Sequence, residues 1–332
     1  MLKVMVFGGG GYIGIPLCEE LRKRGHMVMA IDRFFFEKKP DVSCLHCDIR
    51  DGDAKLHPEW SVVDLAGLSN DASAEIDPAL TKAINEDGGK RIATLAKEVG
   101  VKRYIYASSA SVYGRGNAPY LSEATELNPL TAYAKSKVAV EDHLRRLAGN
   151  GFEPVILRNA TVFGVAPRMR FDLAVNVMTL GAWKNKKIEV RGGGSQKRPF
   201  IHVKDVVNVI CHMLERRADV VADRTFNVGS DVLNHSISDI ATIVRAEFRD
   251  AEIFYQRDEP DTRSYHLSFS ALRNLGIECG LGIEYGVKEM RAALDAKEID
   301  GNDPTTVTLA WYKALEEWEK RLRYMRLGGR IL

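Results

Sequence analysis

The sequence predicts a doubly wound α/β fold, a parallel sheet covered by helices on both sides, with a smaller α/β lobe interleaved after residue 164. Three observations predict it. Short β-rich runs alternate with helical stretches through the first half of the chain, most of those runs are apolar on both faces, and the first run opens directly into four consecutive glycines and a helix. Runs buried on both faces belong inside a parallel sheet, and a glycine turn between strand and helix is where such a sheet starts to wind.

In chain order, residues 2–7, 27–31, 61–65, 103–107 and 154–157 read as strands. Between them Ile92, Leu95, Ala96 and Val99 form a stripe at helical spacing, and Gly100 follows as a stop. After Gly164 the pattern loosens. Residues 165–194 mix arginines with a helix and the turn Gly192-Gly193-Gly194, while 200–203 and 225–228 again look like strands. The expected division is residues 1–164 plus about 198–230 in one lobe, about 165–197 plus 231–300 in a second, and a C-terminal amphipathic helix over 303–327. That helix starts at Asp303 and Pro304, and Trp311, Leu315, Trp318, Leu322 and Met325 recur at alternating steps of four and three. It is expected to pack onto its own chain or to form a subunit contact.

The 332 residues carry 47 basic and 45 acidic side chains, a net charge of +2, with 45% hydrophobic residues. Such a chain buries a sizeable core without staples, so a disordered polymer and a small disulfide-held scaffold are excluded. Near-neutral charge gives no sequence-independent attraction to nucleic acid phosphates. No stretch is apolar enough to span a bilayer, and the glycine-filled run over residues 4–18 lacks a signal-peptide cleavage site. Five scattered cysteines fit a reducing compartment, so a cytoplasmic location is expected. Cys44 and Cys47 form a CxxC on a strand, but one pair cannot supply four ligands and no metal is expected.

The run after the first strand reads Gly8-Gly9-Gly10-Gly11-Tyr12-Ile13-Gly14, which satisfies two glycine spacings at once. Without Cβ atoms these residues let the backbone turn sharply and approach a pyrophosphate at a helix N-terminus. Asp32 follows at the end of the next strand, where a carboxylate can accept hydrogen bonds from both hydroxyls of an adenosine ribose. A 2′-phosphate would be repelled there, so NAD rather than NADP is the expected cofactor, with Arg33 beside the ribose.

Downstream, Ser108-Ser109-Ala110-Ser111-Val112-Tyr113-Gly114 ends one strand, and Thr131-Ala132-Tyr133-Ala134-Lys135-Ser136-Lys137 opens a helix. Tyr133 and Lys137 are four apart and share a helix face that continues into Val140 and Leu144, so both point inward. The glycine loop, Asp32, the serine-rich strand end and Tyr-x-x-x-Lys, in this order, resemble the extended short-chain dehydrogenase/reductase family, specifically its nucleotide-sugar epimerases and dehydratases. The resemblance covers residues 1 to about 290 and implies a Rossmann-type sheet with a substrate lobe. It also implies that Asp48 and Ile49 edge the adenine, that Leu65, Ala66, Gly67 and Asn85 contact the cofactor, and that the protein is a homodimer.

By the same resemblance Ser109, Tyr133 and Lys137 are catalytic. Lys137 and the positive nicotinamide should lower the Tyr133 pKa so that its phenolate takes a hydroxyl proton, Ser109 should hold the same oxygen, and Lys137 should also bond the nicotinamide ribose. The nucleotide-sugar substrate is expected against Ser109, Ser111, Asn159 and Thr161, the last standing where the family commonly has Asn. Its diphosphate is expected at Arg168, Arg170, Arg198 and Arg263, with Asn176 at its backbone. A 4,6-dehydratase carries an Asp-Glu pair after its Ser or Thr, and a nucleotide-sugar decarboxylase a Glu; here Ala110 and Ser111 stand at those positions. A 4-epimerase passing through a 4-keto sugar is therefore the leading expectation. A C4 dehydrogenase or 4-ketoreductase comes next, then a 5,6-dehydratase, and a non-enzymatic NAD-binding scaffold last.

Overall fold

A computed structural model describes residues 1–36, 38–51, 54–115, 120–256, 264–327 and 330–331. Its centre is a seven-stranded sheet built from β1 (Lys3–Phe7), β2 (Met27–Asp32), β3 (Ser43–His46), β4 (Trp60–Asp64), β5 (Arg103–Ser109), β6 (Glu153–Asn159) and, later in the chain, β10 (Arg224–Val228). The spatial order is β10-β6-β5-β4-β1-β2-β3, and every pairing is parallel. The chain winds outward from β1 to β3, then returns to the other side of β1 with β4. That reversal opens a crevice at the C-terminal ends of β1 and β4, the place where ligands bind in open sheets of this kind.

Alternation along β1 shows why the sheet is covered on both faces. Val4 and Val6 join one core with Leu17 and Leu21 of α1 (Gly14–Lys23) and with Val206 and Ile210 of a later helix. Met5 and Phe7 join the opposite core with Ile92 and Ala96 of α2 (Gly89–Glu98) and Val140 and Leu144 of α3 (Ala132–Leu147). Successive side chains of a strand point to opposite faces, so a run that is apolar throughout needs cover on each. A π-helical run, Lys82–Gly88, leads into α2, and a 3-10 turn, Ala110–Tyr113, follows β5.

The smaller lobe holds β7 (Thr161–Phe163), α4 (Ala174–Asn185), β8 (Lys187–Val190), β9 (Lys197–His202), β11 (Asn234–Ser236), α6 (Ile237–Glu247), β12 (Glu252–Tyr255) and α7 (Ile283–Asp295). Here β7 pairs parallel and β11 antiparallel with β9, and β8 pairs parallel with β12. Phe163, Val175, Ile188, Phe200, Ile240 and Val287 fill its core. Between β9 and β10 the chain crosses back to the large sheet through α5 (Val203–Glu215), which supplies Val206 and Ile210. A further cluster, with Tyr12, Met169, Phe171, Val203 and Met290, joins the glycine loop to this lobe.

The C-terminal segment departs from the expected single helix. Asp303 caps a 3-10 turn, Pro304–Thr306, by accepting from the Thr305 N–H at 2.9 Å. The helical path breaks at Val307 and restarts as α8 (Thr308–Met325). The break has a physical cause, because the Phe171 N–H donates to the Thr306 carbonyl at 2.8 Å and the Thr308 hydroxyl serves Arg168, so the segment is pinned before α8 starts. Beyond Tyr312 the helix is largely exposed, with Trp318 56% accessible. Only its first turn packs onto the rest of the chain as expected. Among the described residues no helix is long and apolar enough to cross a membrane.

Candidate active site

The crevice at the strand reversal is a cavity of about 390 Å³ that runs from the glycine loop and Asp32, past Leu65, Ala66 and Gly67, to Ser109, Tyr133 and Lys137. Gly8 turns the chain at φ +77°, and a Cβ there would come within 2.8 Å of the Leu65 backbone. A Cβ on Gly14 would stand 2.1 Å from the Gly8 carbonyl oxygen. The loop is therefore wound tightly enough that Tyr12, Ile13 and Gly14 bring the start of α1 to the cavity wall, where helix polarity favours an anion.

At the C-terminal end of β2 the Asp32 carboxylate accepts from the Gly10 N–H at 3.0 Å and the Phe34 N–H at 2.8 Å, which fixes it facing the cavity. Arg33 is drawn off to Asp48 at 2.8 Å, and its guanidinium lies 4.2 Å above the Phe35 ring. Asp48 also pairs with Arg50, whose hydrogen bonds hold its carboxyl down at about 2. Asp48, Ile49 and Arg33 all line the cavity. The acidic, hydroxyl-accepting end and the backbone cradle together fit a dinucleotide with free ribose hydroxyls.

The three residues expected to be catalytic converge on the cavity. Thr131 caps α3 by accepting from the Ala134 N–H at 3.1 Å and donates its hydroxyl to Asp71. Tyr133 and Lys137 then face the cavity on the first turns of the helix, opposite Ser109 at the end of β5. The Lys137 ammonium donates to the Ala107 carbonyl at 2.8 Å and sits 5.6 Å from the Tyr133 ring centre. Burial pulls the Lys137 pKa down to about 8, against the pull of Asp64 and Glu141. The expected lowering of Tyr133 does not hold for the chain alone. Burial pushes its hydroxyl up to about 12, Asp71 adds to this, and the opposing influences are the hydrogen bond with Ser109 and the charge of Arg170 rather than Lys137.

Several expected contacts are placed differently. Asn85 is buried and spends its amide on Leu68, accepting from its N–H at 2.7 Å and donating to its carbonyl at 3.0 Å. It positions the loop that lines the cavity and does not line it itself. Asn176 is likewise fully buried and bonds the Gly164 N–H, the Tyr12 hydroxyl and the Arg170 carbonyl. It is a tie between the lobes, not a diphosphate contact. Arg170 reaches the cavity, but its three nitrogens donate to Asp172 and to Ser69, so it is no free fork. Arg198 stacks 5.0 Å over Tyr265 and leaves the wall to that ring, since only Tyr265 of the two borders the cavity. Arg263 lies outside the described residues. Ser111, Asn159, Thr161 and Arg168 line the cavity, and the Ser111 hydroxyl, the Asn159 carbonyl oxygen and Arg168 Nε are buried with no hydrogen-bond partner among the described residues. Such orphaned atoms suit a polar ligand.

The sequence did not point to Phe36, Asp71, Tyr265, Thr308 or Tyr312 as wall residues. Asp71 had a signal in the polar run Ser69-Asn70-Asp71 directly after the Leu65-Ala66-Gly67 loop. Thr308 and Tyr312 had none, being about as far from the glycine loop as the chain allows.

Residues 4–229 match the family model described as the NAD dependent epimerase/dehydratase family. The chain belongs to this family. It is thus an NAD-dependent enzyme of the extended short-chain dehydrogenase/reductase type. A putative UDP-glucose 4-epimerase of Methanocaldococcus jannaschii is 25% identical over 302 residues, 86% of this chain and 96% of the relative. UDP-glucuronic acid decarboxylase 1 of Danio rerio is 26% identical over 313 residues, 87% of this chain and 73% of the relative. Among solved structures, MoeE5 in complex with UDP-glucuronic acid and NAD superposes with a TM-score of 0.79 at 25% identity, covering 89% of this chain and 99% of that one.

Proposed function

We propose that this family member is a nucleotide-diphosphate-sugar 4-epimerase working through a transient 4-keto sugar. One observation carries the choice of reaction: Ser109, Tyr133 and Lys137 meet at the cavity, while the two positions after Ser109 are Ala110 and Ser111, the first buried and the second a wall hydroxyl without a partner among the described residues. The equipment for hydride transfer is complete and the acidic groups that elimination or decarboxylation draws from those positions are missing. The relatives named as a putative UDP-glucose 4-epimerase and a UDP-glucuronic acid decarboxylase, and the MoeE5 complex with UDP-glucuronic acid and NAD, support the substrate class.

In this reaction Tyr133 accepts the proton of the C4 hydroxyl and later returns it, with Ser109 holding the same oxygen in line. Bound NAD supplies a reversible hydride acceptor and a positive ring charge beside the phenol. Lys137, fixed by the Ala107 carbonyl, keeps a second positive charge behind Tyr133 at neutral pH, since its pKa of about 8 leaves it mostly protonated. A hydroxyl raised to about 12 by burial, with Lys137 already in place, needs the added charge of the cofactor ring before it can ionise near neutrality. Asn159 and Ser111 offer their unpartnered atoms to the sugar side of the cavity.

A panel of nucleotide sugars, followed by product mass and NADH absorbance, tests this. Isomerisation without change of mass is the expected result. Loss of two hydrogens would assign a C4 dehydrogenase, loss of water a dehydratase and loss of carbon dioxide a decarboxylase, each in place of the epimerase.

A further inference from the structure

Arg168 stands out among the cations of the cavity. It is 5% exposed and has no carboxylate at salt-bridge distance among the described residues; its Nη2 donates to the Thr308 hydroxyl at 2.9 Å, while Nε is buried without a partner. Its guanidinium lies 3.7 Å above the Phe36 ring, and it borders the cavity. A buried charge without a counter-charge is strongly disfavoured, so what the position lacks is an anion.

The neighbours indicate which one. Asp172 and, more weakly, Asp32 are within electrostatic reach of Arg168, and its guanidinium stacks on Phe36, four residues past Asp32, so it stands near the end of β2 that faces an adenosine ribose. Tyr133, at the reacting end, is reached by Arg170 instead. The diphosphate of a dinucleotide follows directly from that ribose toward the start of α1. The Arg168 position is held by the C-terminal segment: Phe171 is bonded to Thr306, Arg168 to Thr308, and the Tyr312 ring lies 6.3 Å from Phe36. This segment lies beyond the part of the chain that matches the family model.

We propose that residues 304–312 are part of the cofactor site, Thr308 and Phe36 presenting Arg168 to the diphosphate of NAD and Tyr312 closing the wall beside it. The proposal rests on NAD being the cofactor and adds the C-terminal segment to its binding. NADH, ADP-ribose and UDP are titrated against the full chain and its Arg168→Met and Thr308→Val variants, by NADH fluorescence and by calorimetry. A charged hydrogen bond to a phosphate is lost in the first variant, so its Kd for NADH and ADP-ribose should rise about tenfold or more, with UDP binding unchanged and a melting temperature without ligand no lower than the parent's. Thr308→Val, which keeps the guanidinium and removes its anchor, should weaken the same two ligands by a smaller factor, and it carries the test if Arg168→Met does not fold. Unchanged NADH and ADP-ribose affinities overturn the proposal, as does weakened UDP binding alone, which would give the guanidinium to the substrate's diphosphate. Failure of the parent chain to bind NADH would instead remove the cofactor assignment itself, and this proposal with it.

Discussion

The Lys137→Met substitution tests how the site holds a buried ammonium. Burial takes this lysine from an ordinary pKa of 10.5 to about 8, a depression that corresponds to about 3 kcal/mol at roughly 1.4 kcal/mol per pH unit. The sign follows from proton counts. Between pH 8 and 10.5 the unfolded chain keeps the lysine protonated while the folded chain releases the proton, so the folded state gains stability as pH rises. Below pH 8 the full cost of the buried charge is present. A methionine side chain has no proton to lose, so the stability of the parent minus that of the variant should shift toward the parent by up to about 3 kcal/mol across this window. Tyr133 works the other way above pH 10, since its raised pKa delays ionisation in the folded state, but both chains keep that tyrosine and its share largely cancels in the difference. Denaturant titrations followed by tryptophan fluorescence, from about pH 7.5 to about pH 10, give the difference directly. A difference that stays flat within about 0.5 kcal/mol over that range would refute the idea that Lys137 is held charged in a desolvated position.

Other changes probe the chemistry and the frame beneath it. Tyr133→Phe should lower kcat by about 10²–10⁴ while leaving NADH affinity within about twofold, and near-normal turnover measured on the responsive nucleotide sugar would remove Tyr133 from the proton transfer. Glu141 of α3 is fully buried against the end of β5, where it takes the Arg158 guanidinium through both oxygens and the Ser108 hydroxyl through one. Glu141→Gln leaves that arginine charge uncompensated, so stability should fall by about 3–5 kcal/mol. At about 2–4 °C per kcal/mol this lowers the calorimetric melting temperature by roughly 10 °C, and an unchanged transition would show the pair to be dispensable.

The parts of the site that were legible in the sequence are those encoded within a few residues of one another. Glycine spacing fixes a turn because a Cβ would collide with backbone only atoms away, and Tyr133 and Lys137 share a helix face by period alone. Asp32 is legible because a strand end carries it to the crevice. The family resemblance assigns Asn85 and Asn176 to ligands, yet both are buried braces, since a buried backbone amide or carbonyl has to be satisfied by something. The arginines were least legible. Arg168 and Arg170 stand two apart, and what separates their roles is that one meets Asp172 and the other Thr308, 140 residues along the chain.

That separation also explains how a chain of net charge +2 can build a site for two phosphorylated ligands. Arg33 is neutralised by Asp48 and Arg170 by Asp172, so neither presents a free charge to the cavity. The Asp172 carboxylate does more than neutralise: it also accepts from the Asn70 amide at 2.8 Å, while Arg170 bonds the Ser69 hydroxyl at 3.0 Å. Through these bonds the smaller lobe grips the loop that carries Asp71, whose charge reaches Tyr133 and whose carboxylate takes the Thr131 hydroxyl at the start of α3. The Tyr12 hydroxyl, donating to the Gly164 carbonyl at 2.6 Å, grips the glycine loop from the same side. Both ends of the cavity are thus referenced to one short stretch of the smaller lobe, residues 164–172. A shift of that stretch would therefore move the glycine loop and the surroundings of Tyr133 together.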